Sequence, residues 1–316
     1  MEVTCRLEET GAWPRPRVLA AGFFDGVHRG HQRLLIRTVQ RAKAIEGTSC
    51  VLTFDPHPLA VVRPHRAPLM LGTMEEKLRH MAALGVEHVL TLPFDRSLQR
   101  LSPEEFVEEV IVRHLSPEVM IVGFNFTFGS GATGRVDRLE ELLDHRDIVT
   151  QVIRPVVEGK TVISSTAIRD CLADGHVERA TSLLGRAYRL VGKVDSGYGR
   201  GRKLGFPTCN LTPPANVMVP KRGVYAVSVQ MMSGEHVHAV CNIGHRPTFG
   251  DSCTAIEVHL MDYAGNHYGE TLEVDFHLYL RDEQRFASAE LLKEQIAQDI
   301  GRAREYFSRF ACTSRV

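Results

Sequence analysis

Two hydrophobic periods divide the chain. From residue 18 to about 184, short apolar runs alternate with stretches whose apolar positions recur every three or four residues. Residues 18–22 read as a short buried strand. Residues 31–46 read as an amphipathic helix stopped by Gly47, and 49–54 as a second strand that Asp55-Pro56-His57-Pro58 must break. Thr73 and Glu76 have capping-box spacing and open a helix to Leu84, ended by Gly85. After a strand at 87–92, Ser102-Pro103-Glu104-Glu105 starts another helix, with a cap, a proline at the first position and acids in the first turn. Strands at 118–123 and 148–153 flank a helix at 136–144. Short helices around 166–173 and 176–184 close this half. Such alternation predicts an α/β, Rossmann-like unit: a mostly parallel sheet covered on both faces.

Beyond that point the period changes to two. Residues 223–231, 254–261 and 271–280 alternate faces, and in the last run Leu272, Val274, Phe276, Leu278 and Leu280 fall on one side. Shorter strand candidates lie at 188–195, 206–211 and 237–243. About six antiparallel strands without intervening helices predict a small barrel or sandwich. Residues 288–309 predict one long terminal helix. The expected domains are therefore 1–184 and 185–316, with the boundary near 185.

Composition narrows the function classes. A chain of 316 residues suits about two domains. Its 43% hydrophobic and 24% charged content fits a soluble globular protein and excludes a disordered chain. Basic and acidic residues number 38 each, and the halves are balanced too: 22 against 24 in residues 1–184, and 16 against 14 after them. Neither half carries the basic excess of a non-specific nucleic-acid binder. No apolar run approaches the ~18 residues of a membrane span, and the first residues lack a secretory pattern. The seven cysteines are odd in number and form no C-x-x-C pair. A disulfide scaffold or structural zinc is disfavoured, and a reducing cytoplasm is expected. The expected partners are small molecules, with no nucleic acid and no membrane; self-association stays open.

Candidate chemistry begins at the run from Gly22 to His31, between a strand end and a helix start. It contains Phe24, Asp25, Gly26, His28 and Gly30. A loop there faces the carboxyl edge of the sheet, where α/β proteins bind ligands. The following helix offers free N–H groups to phosphate. Two imidazoles three residues apart can reach one phosphate chain, and Gly26 and Gly30 let the backbone approach it. Two surface histidines in a loop are the plainer alternative, which the strand–loop–helix context disfavours. Asp25 could orient a histidine or simply shape its turn. Ser164, Ser165 and Thr166, followed by Arg169, form a second anion cup of hydroxyls and a guanidinium fork, or else a plain helix cap.

The second half has its own glycine-rich segment. Gly192, Lys193, Gly199, Gly201 and Arg202 precede Gly-Phe-Pro-Thr-Cys-Asn, which opens at Gly205. A phosphate-covering flap fits better than a linker, and the segment lacks the ending of a P-loop. Thr208 and Asn210 place two oxygens on one strand face, which suits Mg2+ shared with phosphate oxygens. Glu257 alternates against Ile256, Val258 and Leu260, so it points to the opposite face; alternation alone favours a solvated glutamate there.

The H-x-G-H run and the Ser/Thr–Arg segment resemble the nucleotidyltransferase superfamily. More closely, residues 23–32 (FFDGVHRGHQ), 53–58 (TFDPHP), 122–134 (VGFNFTFGSGATG) and 163–169 (ISSTAIR) look like the FMN adenylyltransferase module of prokaryotic FAD synthetase. The flap ending in residues 205–210 (GFPTCN) resembles riboflavin kinase. So do Gly223-Val224-Tyr225-Ala226, the run 242–250, Tyr268-Gly269 and Leu280-Arg281-Asp282-Glu283. The chain departs from the family's usual residues at Phe23 (Asn), Asn125 (Asp), Cys209 (Ala) and His267 (Leu). The resemblance, over roughly residues 15–308, implies a bifunctional riboflavin kinase/FAD synthetase. Riboflavin and ATP give FMN and ADP in the barrel; FMN and ATP then give FAD and pyrophosphate in the first domain. It implies catalytic roles for His28, His31, Arg169 and Glu257, with Glu257 the base on the ribityl hydroxyl. It also implies flavin contacts at Asn125, Arg281 and Phe286. Another adenylyltransferase with a β-domain as substrate grip stays open, as does a flavin-binding protein that has lost one activity.

Overall fold

The computed structural model describes residues 1–195, 201, 204–231, 234–245, 254–263, 265 and 267–311. They form two compact units. The first comprises Met1–Leu69 and Met74–Ser164, the second Met70–Thr73 and Ser165–Val316. The structural division thus falls at Ser164, about twenty residues before the boundary expected from the change of period. The reason is packing. Helices α7 (Ser165–Asp174) and α8 (Val177–Leu184) complete the α/β period along the chain, but α8 packs on two strands of the second unit and α7 packs on α8. The amide of Lys221 donates to the carbonyl of Leu172 (2.8 Å).

In the first unit, six strands form a parallel sheet: β1 (Glu2–Thr4), β2 (Arg17–Ala21), β3 (Thr48–Asp55), β4 (His88–Pro93), β5 (Val119–Gly123) and β6 (Val149–Ile153). Their order is β1-β4-β3-β2-β5-β6. Strand runs that looked uniformly apolar in sequence feed two separate cores by turns. Leu19, Ala21, Leu52, Leu90, Met120 and Val122 enter one; Val18, Ala20, Val51, Val89, Val119 and Ile121 enter the other. Helices α1 (Arg29–Ala44) and α3 (Met74–Ala83) cover the second core. The short helices α2 (Pro58–Val62), α4 (Arg96–Arg100) and α5 (Pro103–Phe106) fill connections, and α6 (Val136–Asp144) covers the first core. Ser102 and Glu105 form the expected capping box at the start of α5.

Several features of this unit, α2 and α4 among them, have no counterpart in the sequence reading. Strand β1 is too short to show a period. The pair β7 (Val157–Glu158) and β8 (Thr161–Val162) is a two-residue ladder. The helix opened at Ser102 continues as a π-helix over Val107–Leu115, which polarity patterns do not distinguish from an α-helix.

The second unit is a closed antiparallel barrel, β10-β13-β12-β11-β14-β9 around the ring. Its strands are β9 (Tyr188–Asp195), β10 (Cys209–Thr212), β11 (Gly223–Gln230), β12 (His236–His245), β13 (Thr254–Leu260) and β14 (Thr271–Arg281). Tyr188, Tyr225 and Phe276 fill the interior, with the Tyr225 and Phe276 ring centroids 5.1 Å apart. The expected single apolar face of β14 breaks at His277. Phe276 pairs with Val227, yet Leu278 pairs with the next residue, Ala226. The extra residue turns Leu278 and Leu280 from the interior to the outer surface. There they join Val224, Ala226 and Val240 beneath the terminal helix α9 (Ala289–Ala311).

Phe276→Ala is expected to cost about 3–5 kcal/mol, because three rings share that interior. Calorimetry of the full chain should show the transition of the second unit moving down in temperature while that of the first holds.

Candidate functional site

In the first unit, sheet order reverses between β2 and β5. Chain segments leaving their carboxyl ends diverge and open a crevice, the usual ligand site of such sheets. The H-x-G-H loop leaves β2, and Asn125 lies exposed just beyond the end of β5. The loop is built from uncommon backbone. Phe24 (φ 56°), Gly26 (φ 71°) and Val27 (φ 39°) are all left-handed, and a β-branched residue in that region is a genuine outlier. The buried Phe24 and Val27 side chains anchor the turn in the core.

His28 emerges from the turn as the N-cap of α1, its Nδ1 accepting from the amide of His31 (3.3 Å). The two imidazoles stack at 3.6 Å with 16° between their planes. Gly30 permits this: a Cβ there would meet the His28 ring at 3.1 Å. Burial, then the neighbouring His28 and Lys77, hold the His31 imidazole well below its ordinary pKa, so it is neutral at physiological pH. Its Nδ1 is buried and makes no hydrogen bond among the described residues. Gly22 and the buried Asp25 belong to the same loop. Arg29 pairs with Glu158 of β7.

Ser164 ends the first unit. Ser165, Thr166 and Arg169 lie on the first turns of α7, within the second unit. Ser165 and Arg169 are half-buried and Thr166 is exposed.

The barrel's site is a cavity of about 390 Å³ on its outer face, beneath α9. Register across three strands sets Asn210 beside Glu257 and Glu257 beside Asn242. Thr208 and Glu257 are half-buried and Asn210 is buried, and all three line the cavity. Alternation reports the outer face for Glu257, but α9 and the side chains of Leu204 and Phe206 help to enclose that face. Every oxygen of this trio is a hard donor, as Mg2+ requires. Among the described residues, no cluster of three His, Cys, Asp or Glu side chains could hold a metal by itself. A cation here would draw on few protein oxygens and mostly on phosphate, which is the habit of Mg2+.

Other predicted residues are placed as follows. Gly201 lines the cavity; Gly192, Lys193 and Gly205 do not. Gly192 lies in β9, where a Cβ would meet Leu211 at 2.7 Å. Gly199 and Arg202 lie outside the described residues, as do 246–250 of the run beginning at Asn242. Arg281 and Phe286 both line the cavity, with the guanidinium 5.8 Å from the ring centroid. Arg281 also grips Asp299 of α9 through both carboxylate oxygens (2.8–3.0 Å), and Asp299 is only 2% exposed. This pair joins β14 to α9 at the cavity wall.

Asn242, His259 and Asp299 are wall residues that sequence reasoning did not single out. His259 Nδ1 donates to the carbonyl of Pro207 (2.8 Å), tying β13 to the segment that carries Thr208. Period two, applied from Glu257, places His259 on the same face. Asn242 shows as a polar residue among apolar ones. Asp299 had no local signal.

A family model described as FAD synthetase matches residues 12–167, and one described as riboflavin kinase matches residues 184–307. Bifunctional riboflavin kinase/FMN adenylyltransferase of Escherichia coli strain K12 is 39% identical over 291 residues, 92% of each chain. The protein of the same name from Bacillus subtilis is 37% identical over 295 residues, again 92% of each. A solved structure named as a macrolide-efflux protein from Streptococcus pneumoniae superposes with a TM-score of 0.87 at 29% identity, covering 96% of this chain and 99% of that one. No described helix here is long and apolar enough to cross a membrane. Fold, sites and matches together define a two-domain transferase of flavin cofactor biosynthesis, an FAD synthetase domain followed by a riboflavin kinase domain. The chain belongs to the bifunctional riboflavin kinase/FMN adenylyltransferase family.

The environment of His31 makes a direct expectation. Its ring resonances should not titrate between about pH 8 and pH 6, the interval in which an ordinary histidine gains its proton. Nuclear magnetic resonance of histidine-labelled protein checks this, with His31→Gln assigning the signals.

Proposed function

We propose that the barrel phosphorylates riboflavin and that the first domain adenylylates the FMN so formed, with the division of labour near residue 185. The observation that carries the kinase half is the row Asn210–Glu257–Asn242 on the cavity wall. Glu257 takes the proton of the ribityl 5′-hydroxyl as its oxygen attacks the γ-phosphorus of ATP, and ADP leaves. Thr208 and Asn210 would hold Mg2+, which supplies charge neutralisation on the phosphates when bound. Arg281 and Phe286 offer a cationic and an aromatic surface to the flavin.

Adenylyl transfer asks less of its side chains. A phosphate oxygen of FMN attacks the α-phosphorus of ATP, and pyrophosphate departs with the bonding pair. Catalysis is then positioning and charge stabilisation. A neutral His31 donates one N–H to the phosphate chain without bringing a charge of its own, and His28 stacks upon it. The start of α1, directly after the loop, adds the positive end of a helix dipole. Ser165, Thr166 and Arg169, on the first turns of α7, carry hydroxyls and a guanidinium of the kind that hold phosphate. Asn125, beyond β5, is assigned to the flavin. The free thiols of Cys5, Cys50, Cys171, Cys209 and Cys241 accord with a reducing cytoplasm.

Purified protein with riboflavin, ATP and Mg2+ should yield FMN first and FAD later, followed by chromatography. His28→Ala should lower FAD formation about 100-fold or more and spare FMN formation. Glu257→Ala should lower riboflavin phosphorylation by a similar factor while FMN, supplied directly, still becomes FAD. Loss of both activities in either folded variant, each assayed with its own flavin substrate, overturns the two-site assignment.

A further inference from the structure

Lys77 lies outside every motif considered so far. It sits on α3, the helix packed against the turn Asp25–Val27, on the face shared with Met81, and is only 6% exposed. A lysine so deep is uncommon without a specific partner, and an apolar side chain would fill the space without the cost of desolvating an ammonium. Its partner is the backbone just ahead of the H-x-G-H loop. Nζ donates to the carbonyl of Phe23 (2.7 Å) and lies 3.8 Å from the centroid of the Phe23 ring. Thr53 Oγ1 donates to the same carbonyl from β3 (3.1 Å).

The Phe23 carbonyl is therefore clamped from two elements, immediately before the chain enters its left-handed turn. Backbone of that kind persists only where its surroundings over-determine it. We propose that Lys77 is a positioning residue for adenylyl transfer: its ammonium holds the Phe23 peptide, and through it the turn that presents His28 and His31 to the nucleotide phosphates. This inference rests on the assignment of adenylyl transfer to the first domain.

A charged tether has a consequence that a packing residue lacks. Burial pulls the Lys77 ammonium down to a pKa of about 8, against the raising influence of Asp25 in the turn and Asp55 at the end of β3. The other titratable groups about it are His31 on α1, Glu76 beside it on α3, and His57, whose ring meets that of Phe23 at 4.3 Å. The folded pKa is depressed, so the protonated tether is intact below about pH 8 and is lost as pH rises through it. Adenylyl transfer should decline over that interval. Riboflavin phosphorylation by the same molecules uses no part of this tether and serves as an internal control.

The test compares full-length wild type, Lys77→Met and Lys77→Arg in both reactions from about pH 7 to about pH 9.5. At the lower pH, Lys77→Met should lose at least about tenfold in kcat for FAD formation. Its KM for ATP should change less than about threefold and its kinase rate less than about twofold, since the tether touches neither substrate. The wild-type ratio of FAD to FMN formation should fall through about pH 8, and Lys77→Arg, charged throughout, should keep a flat ratio. Lys77→Met within twofold of wild type in FAD formation overturns the proposal, as does a flat wild-type ratio. Calorimetry separates a fold defect: if Lys77→Met loses the thermal transition of the first unit, its FAD rate is set aside, and the wild-type and Lys77→Arg profiles decide. No FAD from wild type at any pH would instead count against the function assigned to the first domain.

Discussion

One backbone reversal governs the nucleotide side of this protein. Strand β2 runs toward the carboxyl edge of its sheet, and α1 starts back from there within a few residues. The chain makes that change of direction in a few residues, three of which take left-handed dihedrals, two of them non-glycine. Such a turn needs anchors. Phe24 and Val27 are sunk in the core below it, and Thr53 and Lys77 bind the carbonyl of Phe23 at its entrance. His28 closes it by capping the helix. Stacked imidazoles at a helix start are the outcome of these constraints rather than an independent feature.

The barrel solves a different problem. Its interior holds the rings of Tyr188, Tyr225 and Phe276, and its described cavity lies on the outer face. That requires a roof over an otherwise solvated face. The shift of register at His277 directs Leu278 and Leu280 outward, and α9 settles on them. Glu257 and Asn210 then lie in a partly dry cavity, where a carboxylate and a phosphate can be held in fixed relation.

Much of this was legible in the chain. The change from a helical to a two-residue period separated the sheet from the barrel, and most strands and helices fall within a few residues of their expected limits. The H-x-G-H loop and the Thr208–Asn210 pair stood out as candidates by residue type and spacing, whereas Glu257 stood out only through the family resemblance, since alternation by itself reads it as solvated. Other features were not visible, for physical reasons. The bulge at His277 adds one residue to an unbroken alternation and leaves no mark in polarity. Helices α7 and α8 look like a continuation of the α/β pattern, and only their packing assigns them to the barrel. Lys77 reads as a surface residue of an amphipathic helix, because a lysine's burial depends on what a distant strand turn offers it. Asp299 and Arg281 meet across 18 positions of sequence that nothing local connects.

That last pairing bears on how the molecule is made. The chain leaves the ribosome from its amino end, and domains fold as they emerge. Strands β1 to β6 are all synthesised before residue 154, so the sheet and its H-x-G-H loop can assemble early. The barrel's outer cavity has no such independence. Leu292, Ile296 and Asp299 form part of its wall, and Asp299 is the counter-charge for Arg281. Until that stretch of α9 has emerged, Arg281 lacks its partner and the outer face of the barrel stands open to water. During synthesis the first unit can therefore be complete while the kinase wall is not, an order opposite to that in which the two reactions use the flavin.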